Sequence, residues 1–412
     1  MGLAALGGFG LAMRPSESGG PHSPYFSALN TMLRQHGPGH PVMVIDLDRV
    51  NWNIDQLVDS VGPDKTYRVV VKSLPSVELV QHVMGRARTR ALMLFHQPFI
   101  NTIAERIPDA DVLVGKPMPV SAAEIFYKNF DKAPHQKFRP EAQLQWLIDS
   151  RDRLLQYQQL AQQLGVNMRL NIEIDVGLHR GGLETPEEAA RMIDVIQADP
   201  RLTLSGLMGY EPHLTGMRAD LRHPEVRSVL SVYTGFIDRI RNAGVDPASL
   251  TLNGAGSHTL RIYEKDRTMN DLSAGSAVVQ PMDFDTYHLQ DNTPALFIAT
   301  PILKRYDSLK VPVQPTLGKL LSAWDPNRRR LYYIYGGYWK ARFVSPAGIP
   351  EPLFQSTNQE PVTTSHKVDL DVDDYMFLRP TQSEHVMLQF GDLLVTKQSE
   401  IVDRWPVFHQ TG

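Results

Sequence analysis

Residues 67–73 read YRVVVKS, and this stretch sets the pattern of the whole chain. Its continuous run of β-forming residues is typical of a strand buried on both faces, as in a parallel sheet. Lys72 ends the predicted strand, and a helix is expected to begin near Pro75, which suits a first helical turn. The stretch therefore predicts a strand–helix unit that carries an ammonium group where the strand ends.

The same alternation of β-rich runs and amphipathic helical segments continues to about residue 285. The other predicted strands are VMVIDL (42–47), ALMLF (91–95), DVLVG (111–115), QWLID (145–149), MRLNIEID (168–175), TLSGLMGY (203–210), SLTLNGAG (249–256) and SAGSAVV (273–279). About eight repeats over roughly 240 residues predict an α/β fold, a parallel (β/α)8 barrel with helices outside. An open, doubly wound sheet is the structural alternative.

Beyond residue 285 the chain consists of short alternating runs separated by Pro, Gly, Asn and Asp, which predicts an antiparallel β domain. A chain of 412 residues also favours two domains over one core. We therefore expect an N-terminal arm at 1–40 that packs on the C-terminal domain, a barrel at 41–285 and a β domain at 286–412.

The composition excludes several classes of protein. The chain has no cysteine, so disulfides, zinc–thiolate sites and cysteine nucleophiles are absent. A net charge of -3 gives no reason to expect a nucleic-acid or anionic-membrane partner. The apolar start up to Met13 lacks a basic segment and is too short to span a bilayer. We expect a soluble, cytoplasmic protein.

Polar and glycine residues follow five of the predicted strands, and in a barrel such strand ends meet at one mouth. These residues include Lys72, Arg180, Tyr210, His213, the run Asn253–Ser257, Gly275 and Ser276. The glycine-rich run NGAGS (253–257) is expected to lead into a helix, and its N–H groups can then hold a phosphate. A phosphate site opposite a strand-end lysine indicates pyridoxal 5'-phosphate, because a desolvated lysine amine reacts with aldehydes.

Several motifs in the same order make the sequence similar to a known family. The segments are PVMVIDLDRVNWNI, YRVVVKS, NIEIDVGLHRGGL, GLMGYEPH, LNGAGSHTL, DLSAGSAVVQPMDFD and RWPVF. Together, over roughly residues 40–410, they resemble the D-threonine aldolase and D-serine dehydratase family. That family shares the alanine-racemase type of pyridoxal-phosphate barrel, fold type III. IEIDVGLHRGG is the most specific match, because it is very close to the family's EIDVGxxRxG motif.

The resemblance implies roles for individual residues. Lys72 would bind the cofactor covalently and act as a base at the substrate's α-carbon. Arg180 would approach the cofactor's phenolic oxygen or the substrate carboxylate, a task that suits a guanidinium. Tyr210 would lie at the cofactor ring, and His213 would be a second polar group over the substrate. Phosphate binding would fall to Gly254, Gly256, Ser257, Gly275 and Ser276.

Two departures from the family pattern concern a metal and the setting of the lysine. The family holds a divalent metal with a His-x-Asp or His-x-Cys pair after a proline near the C-terminus. Here the aligned positions after Pro380 are Gln382 and Glu384, and an amide is a much poorer ligand than an imidazole. One interpretation keeps a divalent metal on Glu384, with His385 as a further ligand. In the others, Glu384 acts directly as a base or faces solvent. Val69 and Val70 replace the Pro and His that usually precede the lysine, which predicts an apolar environment for Lys72.

The sequence leaves three functions open. The first is a pyridoxal-phosphate lyase acting on a D-configured 3-hydroxy amino acid, by retro-aldol cleavage or by dehydration. The second is an amino-acid racemase or epimerase, which needs two bases and no metal. The third is a non-catalytic carrier of the cofactor, which the second domain of about 120 residues disfavours. The resemblance also implies a homodimer, in which loops such as 336–340 and 356–360 reach a neighbouring active site.

Overall fold

The computed structural model describes residues 14–132 and 137–410, which form two compact units. The barrel unit contains residues 49–294 and two short later segments, 383–388 and from Trp405 onward. The second unit contains the described residues up to Asp48, together with 295–382 and 389–404. The boundaries expected at 41 and 285 thus lie eight and nine residues before those of the compact units. The apolar arm up to Met13 lies outside the described residues.

The barrel unit is a closed barrel of eight parallel strands, which confirms the predicted fold class. In chain order its strands are Thr66–Val70, Ala91–Leu94, Asp111–Val114, Leu144–Ile148, Met168–Glu173, Leu202–Met208, Thr251–Gly254 and Asp271–Ala274. The eighth strand pairs with the first, Thr66 lying opposite Asp271, and this pairing closes the barrel. The strands are almost wholly buried, because helices cover the outside.

Helices with one apolar face follow the strands. They are Leu47–Val61, Val77–Ala87, Gln97–Arg106, Val120–Lys132, Pro140–Gln143, Arg151–Leu164, Pro186–Ala198 and Pro224–Asn242. Their ends obey local rules. Thr185 and Glu188 form a reciprocal capping box at the start of Pro186–Ala198, and Gly165 ends Arg151–Leu164 in a left-handed conformation. A shorter helix, Glu384–Met387, also belongs to this unit.

A buried charged cluster fills the part of the barrel beneath the cavity described below. Arg68, which is 1% exposed, donates hydrogen bonds from Nε and Nη2 to the Asp271 carboxylate, at 2.9 and 2.8 Å. Its Nη2 also contacts Asp111 at 2.7 Å. Asn253 Nδ2 donates to Asp271 Oδ1 at 2.5 Å and to Ser273 Oγ at 2.8 Å. The first, third, seventh and eighth strands are therefore tied together by one hydrogen-bonded network.

The second unit is built on an eight-stranded, mostly antiparallel sheet, as expected. Its strands are Val42–Asp46, Leu296–Tyr306, Arg330–Tyr335, Ala341–Ser345, Gln359–Thr364, Tyr375–Pro380, Asp392–Lys397 and Glu400–Pro406. Helix Pro24–His36 packs on this sheet through Leu29 and Leu33, against a core that includes Phe377.

Two assignments from the sequence are wrong in this unit. Val42–Asp46, expected in the barrel, pairs antiparallel with Leu296–Tyr306 and parallel with Asp392–Lys397. A short run that is buried at every position fits either sheet equally well, so its pattern does not choose between them. Residues 319–325, one of the alternating runs beyond residue 285 that were expected to form strands, lie largely in helix Pro315–Trp324, which begins with a proline. Within the described residues, no helix is both long enough and apolar enough to cross a membrane.

Candidate active site

Lys72 lies one turn beyond the first barrel strand. The strand ends at Val70, and Val71–Ser73 forms a 3-10 turn closed by the Leu74 N–H, which donates to the Val71 carbonyl. The ammonium Nζ lies 3.1 Å from Glu384 Oε1 and 5.0 Å from the centroid of the Phe95 ring. The Lys72 side chain is 45% exposed. Apolar neighbours such as Val70 and Phe95 share the cavity with this amine, and a carboxylate that the sequence pattern did not predict also faces it.

A cavity of about 100 Å³ opens beside Lys72. Eight of the predicted site residues line it: Lys72, Arg180, Tyr210, Gly256, Ser257, Gly275, Ser276 and Glu384. All of them belong to the barrel unit, and most follow the C-terminal ends of its strands. Side chains from the two ends of the sequence are thus brought together around one space.

Three predicted residues are not among those that line the cavity. Gly254 instead packs closely against Met269: a Cβ placed on Gly254 would lie 2.1 Å from Met269 Sδ. This glycine therefore allows close packing inside the barrel unit. His213 packs beside Gly177, which lies in the loop after the fifth strand: a Cβ placed on that glycine would be 3.4 Å from His213 Nε2. Gln382 follows strand Tyr375–Pro380 of the second unit.

The loop after the seventh strand departs from one expectation. It leads into the 3-10 turn Leu260–Tyr263 and not into an α-helix, so no helix dipole supports it. Its anion-binding capacity rests on hydroxyl and backbone groups instead. Ser257 Oγ accepts hydrogen bonds from the N–H groups of Gly275 and Ala277, at 3.2 and 3.1 Å. This hydroxyl joins the seventh and eighth loops into one surface.

The glycines of these two loops make a cradle that side chains would fill. A Cβ at Gly256 would lie 2.7 Å from Tyr210 Cε2, and a Cβ at Gly275 would lie 2.5 Å from the Val70 carbonyl oxygen. With the Ser257 hydroxyl supplying a donor beside them, the donor set suits a phosphate group. The residues present therefore fit the phosphate of the expected cofactor.

Arg180 and Tyr210 form a stacked pair at the cavity wall. The guanidinium carbon lies 5.3 Å from the centre of the Tyr210 ring. Burial raises the pKa of the Tyr210 phenol, and the Glu211 charge adds to this effect while Arg180 opposes it. Asp175 accepts a hydrogen bond from the His179 ring at 2.7 Å. Burial raises the pKa of Glu173, and the charge of Arg180 acts to lower it. Arg180 is thus directed at an aromatic ring and the cavity.

The donor set does not fit the divalent metal of the family. Glu384 Oε1, the one predicted carboxylate ligand, is engaged by Lys72 and accepts from Ser73 Oγ at 3.0 Å. Gln382 offers an amide where the family has an imidazole. Among the described residues, no three His, Asp or Glu side chains come together as metal binding requires. We therefore assign Glu384 to the lysine and not to a metal.

Some residues around the site were given no role by the sequence analysis. Ser73 links Glu384 to Ser276, whose Oγ donates to Ser73 Oγ at 2.9 Å. Phe95 covers Lys72. Glu211 is fully buried beside the seventh loop and accepts a hydrogen bond from Thr259. Ser73 and Glu211 directly follow Lys72 and Tyr210 in the sequence, and this adjacency was the signal that could have suggested a role for them. The role of Phe95 depends on packing alone.

A barrel with a lysine at its mouth, a phosphate-type cradle and an additional β unit is the architecture of fold type III pyridoxal-phosphate enzymes. The family described as alanine racemase, N-terminal domain, matches residues 45–280. The chain belongs to this family, and the resemblance seen in its motifs is confirmed. The family implies pyridoxal phosphate as the cofactor.

Three similar proteins can be compared with the chain. It is 25% identical over 130 residues to the 3-hydroxy-D-aspartate aldolase of Paracoccus denitrificans (strain Pd 1222), and the match covers 31% of this chain and 33% of that protein. The match thus spans about a third of the curated relative. The D-threonine aldolase of Filomicrobium marinum aligns with a TM-score of 0.70 at 15% identity, covering 89% of this chain and 94% of that one. The alanine racemase of Clostridium difficile 630 aligns with a TM-score of 0.67 at 14% identity, covering 88% of this chain and 97% of that one.

Proposed function

We propose that this protein is a pyridoxal-phosphate-dependent lyase acting on a D-configured 3-hydroxy amino acid. The observation that carries the proposal is the pairing of Lys72 Nζ with Glu384 Oε1 at 3.1 Å, inside the cavity that holds the phosphate-type cradle. Such a reaction needs one group at the α-carbon and another at the β-hydroxyl. Lys72 and Glu384 supply an amine and a carboxylate at neighbouring positions.

Each residue then has a chemical task. Ser257, Ser276 and the neighbouring loop backbone hold the phosphate, and Lys72 is the point of covalent attachment. The bound cofactor supplies an electron sink for the bond broken at the α-carbon. In dehydration the Lys72 amine accepts the α-proton. In retro-aldol cleavage the α-proton stays, and the bond between Cα and Cβ breaks.

Glu384 is assigned to the substrate hydroxyl. In cleavage its carboxylate accepts the proton of the β-hydroxyl as an aldehyde forms, and in dehydration its acid form protonates the leaving hydroxyl. The Ser73 hydroxyl, which donates to the same oxygen at 3.0 Å, keeps the carboxylate oriented. This assignment replaces the metal at that position by a carboxylate, in agreement with the donor set. Arg180, as a fixed cation, is assigned to the substrate carboxylate or the cofactor's phenolic oxygen.

The test is turnover of D-threonine, D-phenylserine and D-serine by the cofactor-loaded protein, with and without EDTA or added Mn²⁺. Glycine plus an aldehyde identifies cleavage, and a keto acid identifies dehydration. We expect EDTA to leave the rate unchanged and Glu384→Gln to lower kcat by about 10²-fold or more, the usual contribution of a general base. Loss of activity in EDTA that Mn²⁺ restores would contradict the assignment of Glu384.

A second candidate is an amino-acid racemase, favoured by the position of the buried Tyr210 phenol in the same cavity as Lys72. Two bases facing one α-carbon would exchange its proton without breaking a carbon–carbon bond. Proton exchange with D2O and loss of optical activity, without cleavage or a keto acid, would support this reaction over the lyase. We further propose a homodimer, which size-exclusion chromatography with light scattering would test.

A further inference from the structure

Glu211 is a fully buried carboxyl that the proposed reaction does not use. It follows Tyr210 after the sixth barrel strand and is 0% exposed. Burial raises the pKa of this carboxyl to about 7, and hydrogen bonds from Thr259 and the Ala255 N–H oppose the rise. Burying a carboxyl is costly unless its oxygens are bonded, so its contacts indicate what it is for.

Those contacts lead to the loop after the seventh strand. Thr259 Oγ1 donates to Glu211 Oε1 at 2.5 Å, and the Gly256 N–H donates to Thr259 Oγ1 at 3.0 Å. A hydroxyl has one proton, so donation to Glu211 turns its lone pairs toward Gly256. Glu211 therefore holds the Gly256 backbone through the Thr259 hydroxyl.

The loop needs such support because of its backbone shape. Ala255 has φ of +67°, a left-handed conformation that costs a non-glycine residue roughly 1 kcal/mol. The next residue, Gly256, packs against the Tyr210 ring. Tyr210 and Glu211, adjacent in sequence, thus fix the loop by packing and by hydrogen bonding. Ser257, which lines the cavity, follows directly.

We propose that Glu211 is a positioning residue for the cofactor phosphate: through Thr259 it holds residues 255–257 in their phosphate-accepting shape. The inference rests on the proposed function only in placing the phosphate at this loop. Glu211 touches neither substrate nor cofactor. Its effect should therefore appear in affinity for the phosphate of the cofactor and not in affinity for the pyridine ring.

The experiment compares binding of pyridoxal 5'-phosphate and of pyridoxal, which lacks the phosphate, by absorbance titration of the full chain. The variants are Thr259→Val, which removes the hydroxyl at nearly constant shape, Thr259→Ser, which restores it, and Glu211→Gln, which keeps an acceptor oxygen. We expect Thr259→Val to weaken pyridoxal-phosphate binding by about tenfold or more, as for one lost buried hydrogen-bond relay. Pyridoxal binding should change by less than about twofold, and Thr259→Ser and Glu211→Gln should stay within about threefold of wild type.

The possible outcomes separate the positioning role of Glu211 from the phosphate site itself. Equal weakening of both ligands by Thr259→Val would show a general structural role and overturn the inference, as would wild-type affinity in that variant. Wild-type protein that binds pyridoxal phosphate no more tightly than pyridoxal would instead overturn the phosphate site of the proposed function, and this inference with it. Circular dichroism of every variant confirms that the barrel is folded.

Discussion

Replacing Arg68 by methionine should destabilise the barrel more than any exchange of a surface arginine. The side chain is 1% exposed and binds the Asp271 carboxylate through two nitrogens. Its Nη1 also donates to the carbonyl of Leu92 at 3.0 Å. Methionine keeps the apolar stem but offers no donor, so the change removes the charge while leaving most of the volume filled.

The magnitude follows from the partner that remains. The Asp271 side chain is 3% exposed, so without Arg68 its charge is buried and uncompensated, which costs about 3–5 kcal/mol. The Asp111 side chain is 37% exposed, so water can solvate it and it adds little. The lost hydrogen bond to the Leu92 carbonyl adds about 1 kcal/mol. Together these effects predict a loss of about 4–6 kcal/mol in the free energy of unfolding.

The assay is urea unfolding of the full chain, followed by circular dichroism at constant pH. The matched control is Arg86→Met, which breaks a similar two-nitrogen contact to Asp55. In this exposed pair the Arg86 side chain is 40% exposed and the Asp55 side chain is 48% exposed. We expect the control to lose no more than about 1 kcal/mol. The double variant Arg68→Met/Asp271→Leu should recover much of the loss, because no charge is then left buried. A loss for Arg68→Met equal to that of the control would refute the reasoning.

Three further predictions concern the loops and helices around the site. Gly256→Ala, whose Cβ would lie 2.7 Å from Tyr210 Cε2, should weaken pyridoxal-phosphate binding by about tenfold in an absorbance titration; unchanged affinity would contradict the cradle. Because the folded-state pKa of Glu211, about 7, exceeds its ordinary value, its stabilising contribution is present below about pH 4.5 and is lost as pH rises through 7. In the wild-type protein the free energy of unfolding, measured with urea, should therefore fall by up to about 3 kcal/mol between about pH 4.5 and 7, and Glu211→Gln should abolish this fall. The same pH dependence in the variant and the wild type would argue against the burial of the Glu211 carboxyl. Thr185→Ala removes half of the capping box with Glu188 and should cost about 1 kcal/mol by the same method, whereas no change would mean that the cap contributes nothing.

The sequence determined the barrel because strand burial and helix amphipathicity are local patterns. The strands of the barrel read as short, largely apolar runs, several of them followed closely by polar or glycine residues, and the longer helices carry an apolar face. Strand ends in a parallel barrel share one mouth, so the gathering of Lys72, Arg180 and Tyr210 followed from topology alone. The position of Lys72 was predictable to within one turn of backbone.

Only the tertiary structure decided which partners these residues meet. Glu384 and Ser73 are 311 residues apart in the chain, and no periodicity predicts that a carboxylate from such a distance contacts the lysine. Likewise, the apolar run Val42–Asp46 carries no mark of which sheet it joins, because burial on both faces satisfies either one. Local sequence patterns record how a segment is buried. Which side chains then meet across the fold depends on the packing of the whole chain, and there a lysine expected among valines acquired a carboxylate partner.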